Sequence, residues 1–116
     1  MGLPACSEYA ENEVREKFDM PINKSLSERN IEEAVIRKMP LGTSENDIYK
    51  DLEELGFGED NLSSFYRADK NSEIVARIEY DPDEFGFVKK SYGIIFKLDA
   101  NRHLKGVKVH EWFTGL

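Results

Sequence analysis

Residues Ser91 to Leu116 read SYGIIFKLDANRHLKGVKVHEWFTGL. Apolar and polar side chains alternate on either side of Asp99-Ala100-Asn101-Arg102, a segment with the chemistry of a turn. The first strand starts at Val88. Val88, Tyr92, Ile94, Phe96 and Leu98 share one of its faces, and Lys89, Ser91, Gly93, Ile95 and Lys97 the other. In the last strand Val107 and Val109 point inward, with Lys108, His110 and Trp112 outward. Leu104 is out of phase with Val107, which predicts a bulge or bend at Lys105-Gly106.

Upstream of this hairpin, Glu73 to Tyr80 also alternates. Ile74, Ala76, Ile78 and Tyr80 fall on one face, Val75, Arg77 and Glu79 on the other. Leu62 to Ala68 is a weaker first strand, joined to the second by a turn at Asp69-Lys70-Asn71-Ser72. Asp81 to Gly86 is a loop. Before the strands come two helical patterns. Ile31, Ala34, Val35 and Met39 make an apolar stripe behind a cap at Ser25, paired with Glu28, or at Ser27. After Pro40 stops that helix, Thr43 or Ser44 caps a second one, with Ile48, Leu52 and Leu55 inward. Gly56 takes the left-handed cap, and Phe57 folds back onto the last turn.

Helix, helix, then four antiparallel strands describe an α+β fold. The expected form is a two-layer sandwich, a helix-turn-helix packed on one face of a four-stranded sheet. Residues 25–116 make up that single domain. Residues 1–24 carry only Tyr9, Val14 and Phe18 as large apolar anchors, and read as a flexible or partly helical tail ending at Met20-Pro21.

A chain of 116 residues can bury roughly two-thirds of its unfolded surface, enough for one core. Its 40% hydrophobic and 34% charged content is that of a globular protein. The longest apolar run, Gly93 to Phe96, is far short of the ~20 residues of a membrane helix. A net charge of -7 argues against nucleic acid as a partner, since phosphate contacts need clustered Lys and Arg. The charge is uneven. Glu45 to Asp60 holds seven acids and one Lys, whereas Phe87 to His110 holds five Lys, one Arg and one Asp. A solvated acidic helix and a Lys-dotted sheet account for both.

No constellation carries catalysis. Asp81-Pro82-Asp83-Glu84-Phe85-Gly86 begins like a calcium loop, but Phe85 stands where an oxygen ligand is wanted and Tyr92 where the closing Glu belongs. His103 and His110 have no further His or Cys nearby to complete a zinc site. Neither a nucleophile elbow nor a phosphate or dinucleotide glycine loop is present. The expectation is a non-enzyme with no cofactor and no metal. Its candidate binding surface is the outer sheet face, with Val75, Arg77, Ile95, His110 and Trp112, joined by Tyr66 from the first strand. Arg, Tyr and Trp dominate binding hot spots. The bland alternative is that Trp112 packs on the tail or on a second copy.

The turn Met39-Pro40-Leu41-Gly42-Thr43-Ser44, the helix Glu45 to Leu55, the step Phe96-Lys97-Leu98-Asp99 and the strand Leu104-x-x-Val107-x-Val109 together resemble the SmpA/OmlA (BamE) lipoproteins. The related β-lactamase-inhibitor-protein domains share this plan. The resemblance spans Ser27 to Phe113. Leu55-Gly56-Phe57-Gly58 lacks the Pro usual in the family, and four strands are closer to the inhibitor domains. The resemblance implies a module that binds another protein. Leu3-Pro4-Ala5-Cys6 is similar to a lipobox, with only Met1 and Gly2 ahead of it. Two readings stay open. Cys6 is a lipid anchor that gives peripheral membrane attachment in a cell envelope, or it is incidental and the chain is cytoplasmic. The second functional expectation is an acidic inhibitor or immunity-type protein acting through Glu45 to Asp60.

Overall fold

The computed structural model describes residues 6–58, 64–69, 72–78 and 88–115, the side chains of 6–11, 64, 65, 67, 69, 88–90 and 112–115 excepted. Within them the chain is α+β: helices α1 (Cys6–Lys17), α2 (Glu28–Lys38) and α3 (Glu45–Glu54), then strands β1 (Ser64–Asp69), β2 (Glu73–Ile78), β3 (Val88–Leu98) and β4 (Leu104–Gly115). Each strand pairs antiparallel with the next. The sequence expectations at Leu62, Lys70-Asn71, Glu79-Tyr80 and the Asp81 to Gly86 loop lie outside the described residues.

Local chemistry sets the helix ends. Ser27, not Ser25, caps α2, its hydroxyl accepting from the Asn30 amide at 3.1 Å. Ser44 caps α3 in the same way, through the Asp47 amide. α3 closes on Gly56 at φ +97°. The Gly56 amide donates to Glu53 O and the Phe57 amide to Leu52 O, a Schellman cap that turns buried Phe57 back over the helix.

The hairpin loops are built alike. Asp69 pairs with Glu73, leaving three residues between them, the last of which, Ser72, has φ +60°. Asp99 donates to His103 O, again leaving three, and Arg102 has φ +64°. A left-handed third residue is the signature of the three-residue hairpin loop. The Asp99 carboxylate fixes the second loop by accepting from the His103 and Asn101 amides, both at 2.9 Å. These bonds, His103 first, hold its carboxyl below the usual range. The expected bulge is present: Lys97 pairs with Gly106 and Leu98 with Leu104, so Lys105 is extra. It brings Leu104 and Val109 onto the same buried side.

One sheet face forms the core. Ile74, Ala76, Ile78, Tyr92, Ile94, Phe96 and Leu98 are buried, as are Ile31, Ala34, Val35, Met39, Ile48 and Leu52 from α2 and α3. Leu55 and Val107 pack at its margin. The N-terminal segment departs from the expected tail. Val14 is fully buried, Phe18 and Met20 nearly so, and α1 lies against β3 and β2. Three anchors suffice because the residues that close α3, Leu55 and Phe57, complete the contact. Phe18 meets the Phe57 ring at 6.4 Å. The Lys17 ammonium donates to Leu55 O at 2.8 Å, sits 5.1 Å from the Phe57 centroid and pairs with Glu13 at 3.4 Å. It thereby supplies a cation to the C-terminal end of α3, whose last turn has no basic residue.

Phe18→Ala is therefore expected to cost about 3–5 kcal/mol in urea unfolding; a tail residue would change stability by under ~0.5 kcal/mol. Gly56→Ala is expected to cost about 1–2 kcal/mol for the left-handed backbone alone. A Cβ there would also meet Lys17 Nζ at 2.9 Å. The total cost should therefore shrink in a Lys17→Met background, measured as a double-mutant cycle.

Candidate protein interface

The sheet register decides which residues share the outer face. One row across the sheet runs Arg67, Val75, Ile95, Lys108, and the next runs Phe65, Arg77, Gly93, His110. Neighbouring strands lie about 4.8 Å apart, so Val75 and Ile95 are direct neighbours, whereas Arg77 and His110 flank Gly93 two strand spacings apart. Val75, Arg77 and Ile95 are half-buried, and His110 is exposed. Four of the six expected residues are thus brought together. Trp112 occupies the matching backbone position opposite Ser91, but its side chain is outside the described set.

Tyr66 does not belong to this group. It pairs with Ala76, which pairs with Ile94, and so sits on the core face, 8% exposed. Its hydroxyl donates to Glu53 Oε1 at 2.8 Å and its ring stacks obliquely on Tyr49 at 5.5 Å. The cause is the loop between β1 and β2. A two-residue connection would have set Tyr66 opposite Val75 on the outer face. The three-residue loop shifts the register by one and reverses every side chain.

Two exposed cations, Lys97 and Lys108, join the outer face and were not among the expected site residues. Their alternation with Phe96, Leu98 and Val109 was the available signal. The next row carries two acidic positions, Asp69 and, opposite Lys97, Glu73. Toward Trp112 the face is closed, since Ser91 and Gly93 are themselves buried. The accessible part is an apolar pair, Val75 and Ile95, bordered by Arg77, Lys97, Lys108 and His110. Such a surface offers apolar contact and positive charge, and no nucleophile or general base in a dry cleft.

The other charged surface is on α3. Glu45 is committed to the Arg102 guanidinium and Glu53 to Tyr66. Asp47, Asp51 and Glu54 are left facing one another at helical spacing, beside a dent of about 110 Å³ lined by Lys38, Asp51, Glu54 and Leu55. Lys38 is drawn to Asp19, 2.8 Å away. Partial burial, then Glu54 and Asp47, push the Asp51 carboxyl up from its ordinary value. Among the described residues no group of His, Cys, Asp and Glu could hold a metal ion, and no helix is long and apolar enough to cross a membrane. Cys6 opens α1, with its side chain outside the described set.

No protein-family model, curated protein or solved structure matches this chain.

The raised Asp51 pKa has a definite sign in stability. A folded-state value above the unfolded one makes the ionised carboxylate unfavourable above the folded pKa. The cost is relieved as pH falls through that value and is gone below 3.8, the ordinary value. Asp51→Asn should therefore raise the urea midpoint at pH 7, and the advantage should vanish below about pH 3.8. Parallel unfolding curves at pH 7 and pH 3.5 check this.

Proposed function

We propose that this chain is a non-enzymatic protein-binding module, a two-layer sandwich whose four-stranded sheet offers its outer face to another protein. The observation that carries the reading is the adjacency of Val75 and Ile95 within a border of Arg77, Lys97, Lys108 and His110. An apolar centre with a charged rim is the anatomy of a specific interface. The complementary partner surface presents aliphatic or aromatic anchors flanked by acids. The resemblance to the SmpA/OmlA lipoproteins and inhibitor domains supports the same class of activity. In the lipoprotein form of this proposal Cys6 carries the lipid and attaches the module to a cell-envelope membrane. Mass spectrometry of the protein from its native cells tests that form directly, through the lipid mass on the peptide containing Cys6.

A second reading, an acidic inhibitor that blocks an enzyme, is favoured by one observation. Asp47, Asp51 and Glu54 are left by the fold as mutually repelling carboxylates, and a basic partner surface would relieve them.

Two variants, each checked for native circular dichroism, separate the readings. One is Ile95→Ala with Lys108→Ala; the other is Asp47→Lys with Asp51→Lys and Glu54→Lys. Affinity capture with quantitative mass spectrometry is expected to show partners whose recovery falls at least about tenfold, equivalent to 1.4 kcal/mol, with the first variant only. Loss confined to the second variant establishes the inhibitor reading. Unchanged recovery with the first removes the sheet face.

A further inference from the structure

β4 lies at one edge of the sheet, where the outward backbone groups of a strand would ordinarily wait for another strand. Here several of them, mostly donors, are occupied from within the chain. At its start the α2–α3 connection pairs with it. The Leu104 amide donates to Thr43 O at 2.8 Å, and the Gly42 amide to Leu104 O at 2.7 Å. Further along, the Val109 amide donates to Glu32 Oε1 and the Glu111 amide to Glu28 Oε2, each at 3.0 Å.

The two periods match. Glu28 and Glu32 are one helical turn apart, about 6 Å. Val109 and Glu111 are two strand residues apart, about 6.8 Å. α2 lies along β4, with successive carboxylates meeting successive outward amides. The contacts are charge-assisted, and a carboxylate only accepts. An incoming strand therefore finds the Val109 and Glu111 amides already engaged and gains no donor from them for its own carbonyls.

We propose that Glu28 and Glu32 act together as a guard on the β4 edge, and that without them this edge pairs with β4 of a second copy. The 12-residue length of β4 supports that occupant. An antiparallel β4–β4 contact is self-complementary about a twofold axis, so a single long edge supplies both sides. The guard is independent of the outer face.

The experiment compares wild type with Glu28→Ala/Glu32→Ala and with Glu28→Gln/Glu32→Gln, whose amide oxygens still accept. Amide exchange at Val109 and Glu111 is read by NMR, and association by sedimentation velocity over a hundredfold concentration range. The Ala pair is expected to exchange at least about tenfold faster at both amides and to form a concentration-dependent dimer, while the Gln pair follows wild type. Unchanged exchange in the Ala pair overturns the proposal. So does faster exchange without association, which leaves helix docking alone as the barrier. If the Ala pair does not fold, wild type decides: Val109 and Glu111 amides exchanging as fast as solvent-exposed amides overturn the guard, and protected amides with dimerisation of either single Ala variant uphold it.

Discussion

Strand β3 has one face that must be hidden and no means of hiding it alone. Tyr92, Ile94, Phe96 and Leu98 stand in a row on it, all buried, each contributing on the order of 1.5–3 kcal/mol when removed from water. β2 and β4 flank this row and extend it. The cover comes from helices of 12, 11 and 10 residues, at or below the length that holds together in water unaided. Sheet and helices therefore stabilise each other or neither forms. This explains why α1, with few apolar anchors, belongs to the core: without Val14 and Phe18 part of the inner row would face water.

Polar contacts between elements do the remaining work, and they account for much of the acidity. Of 23 acidic residues, Glu28, Glu32 and Asp99 accept from backbone amides, Glu45 holds Arg102, Glu53 receives the Tyr66 hydroxyl and Asp19 holds Lys38. Lys17 does the converse at the end of α3, giving a cation to a helix terminus crowded with acids. These six carboxylates are thus held by contacts within the fold, though their charge still counts in the net -7. On α3, the trio Asp47, Asp51 and Glu54 remains.

What could be read from the sequence was what is local. The stripe of α2, the Schellman turn at Gly56, the alternation of β3 and the bulge at Lys105 each follow from residues within a few positions of one another. Contacts distant in sequence were not legible. Glu32 reaches an amide 77 residues away and Glu28 one 83 away, and nothing in the spacing of α2 announces either. The face of Tyr66 depended on one residue of loop length. The telling feature is Ser72 at φ +60°, an ordinary-looking turn residue whose left-handed backbone makes the three-residue connection. Val14 and Phe18 were visible as apolar residues, but their sparse spacing resembles a surface helix until Phe57 is brought beside Phe18.

These constraints bear on how a partner can approach. The β4 edge from Arg102 to Glu111 is engaged by α2 and the α2–α3 connection, so strand addition along that stretch would have to displace part of the fold. The outer face needs no such rearrangement. Its cations, Arg77, Lys97 and Lys108, lie on the side of the sheet away from the core, with Glu73 opposite Lys97, whereas Asp47, Asp51 and Glu54 are on α3 in the helical cover. A partner of the proposed kind, with an acidic surface, would be drawn toward these cations before contact. Val75 and Ile95 would then supply the short-range attraction that steering cannot. An enzyme inhibitor working through α3 would use the acidic trio instead, so under the two proposals partners of opposite charge would meet different sides of this molecule.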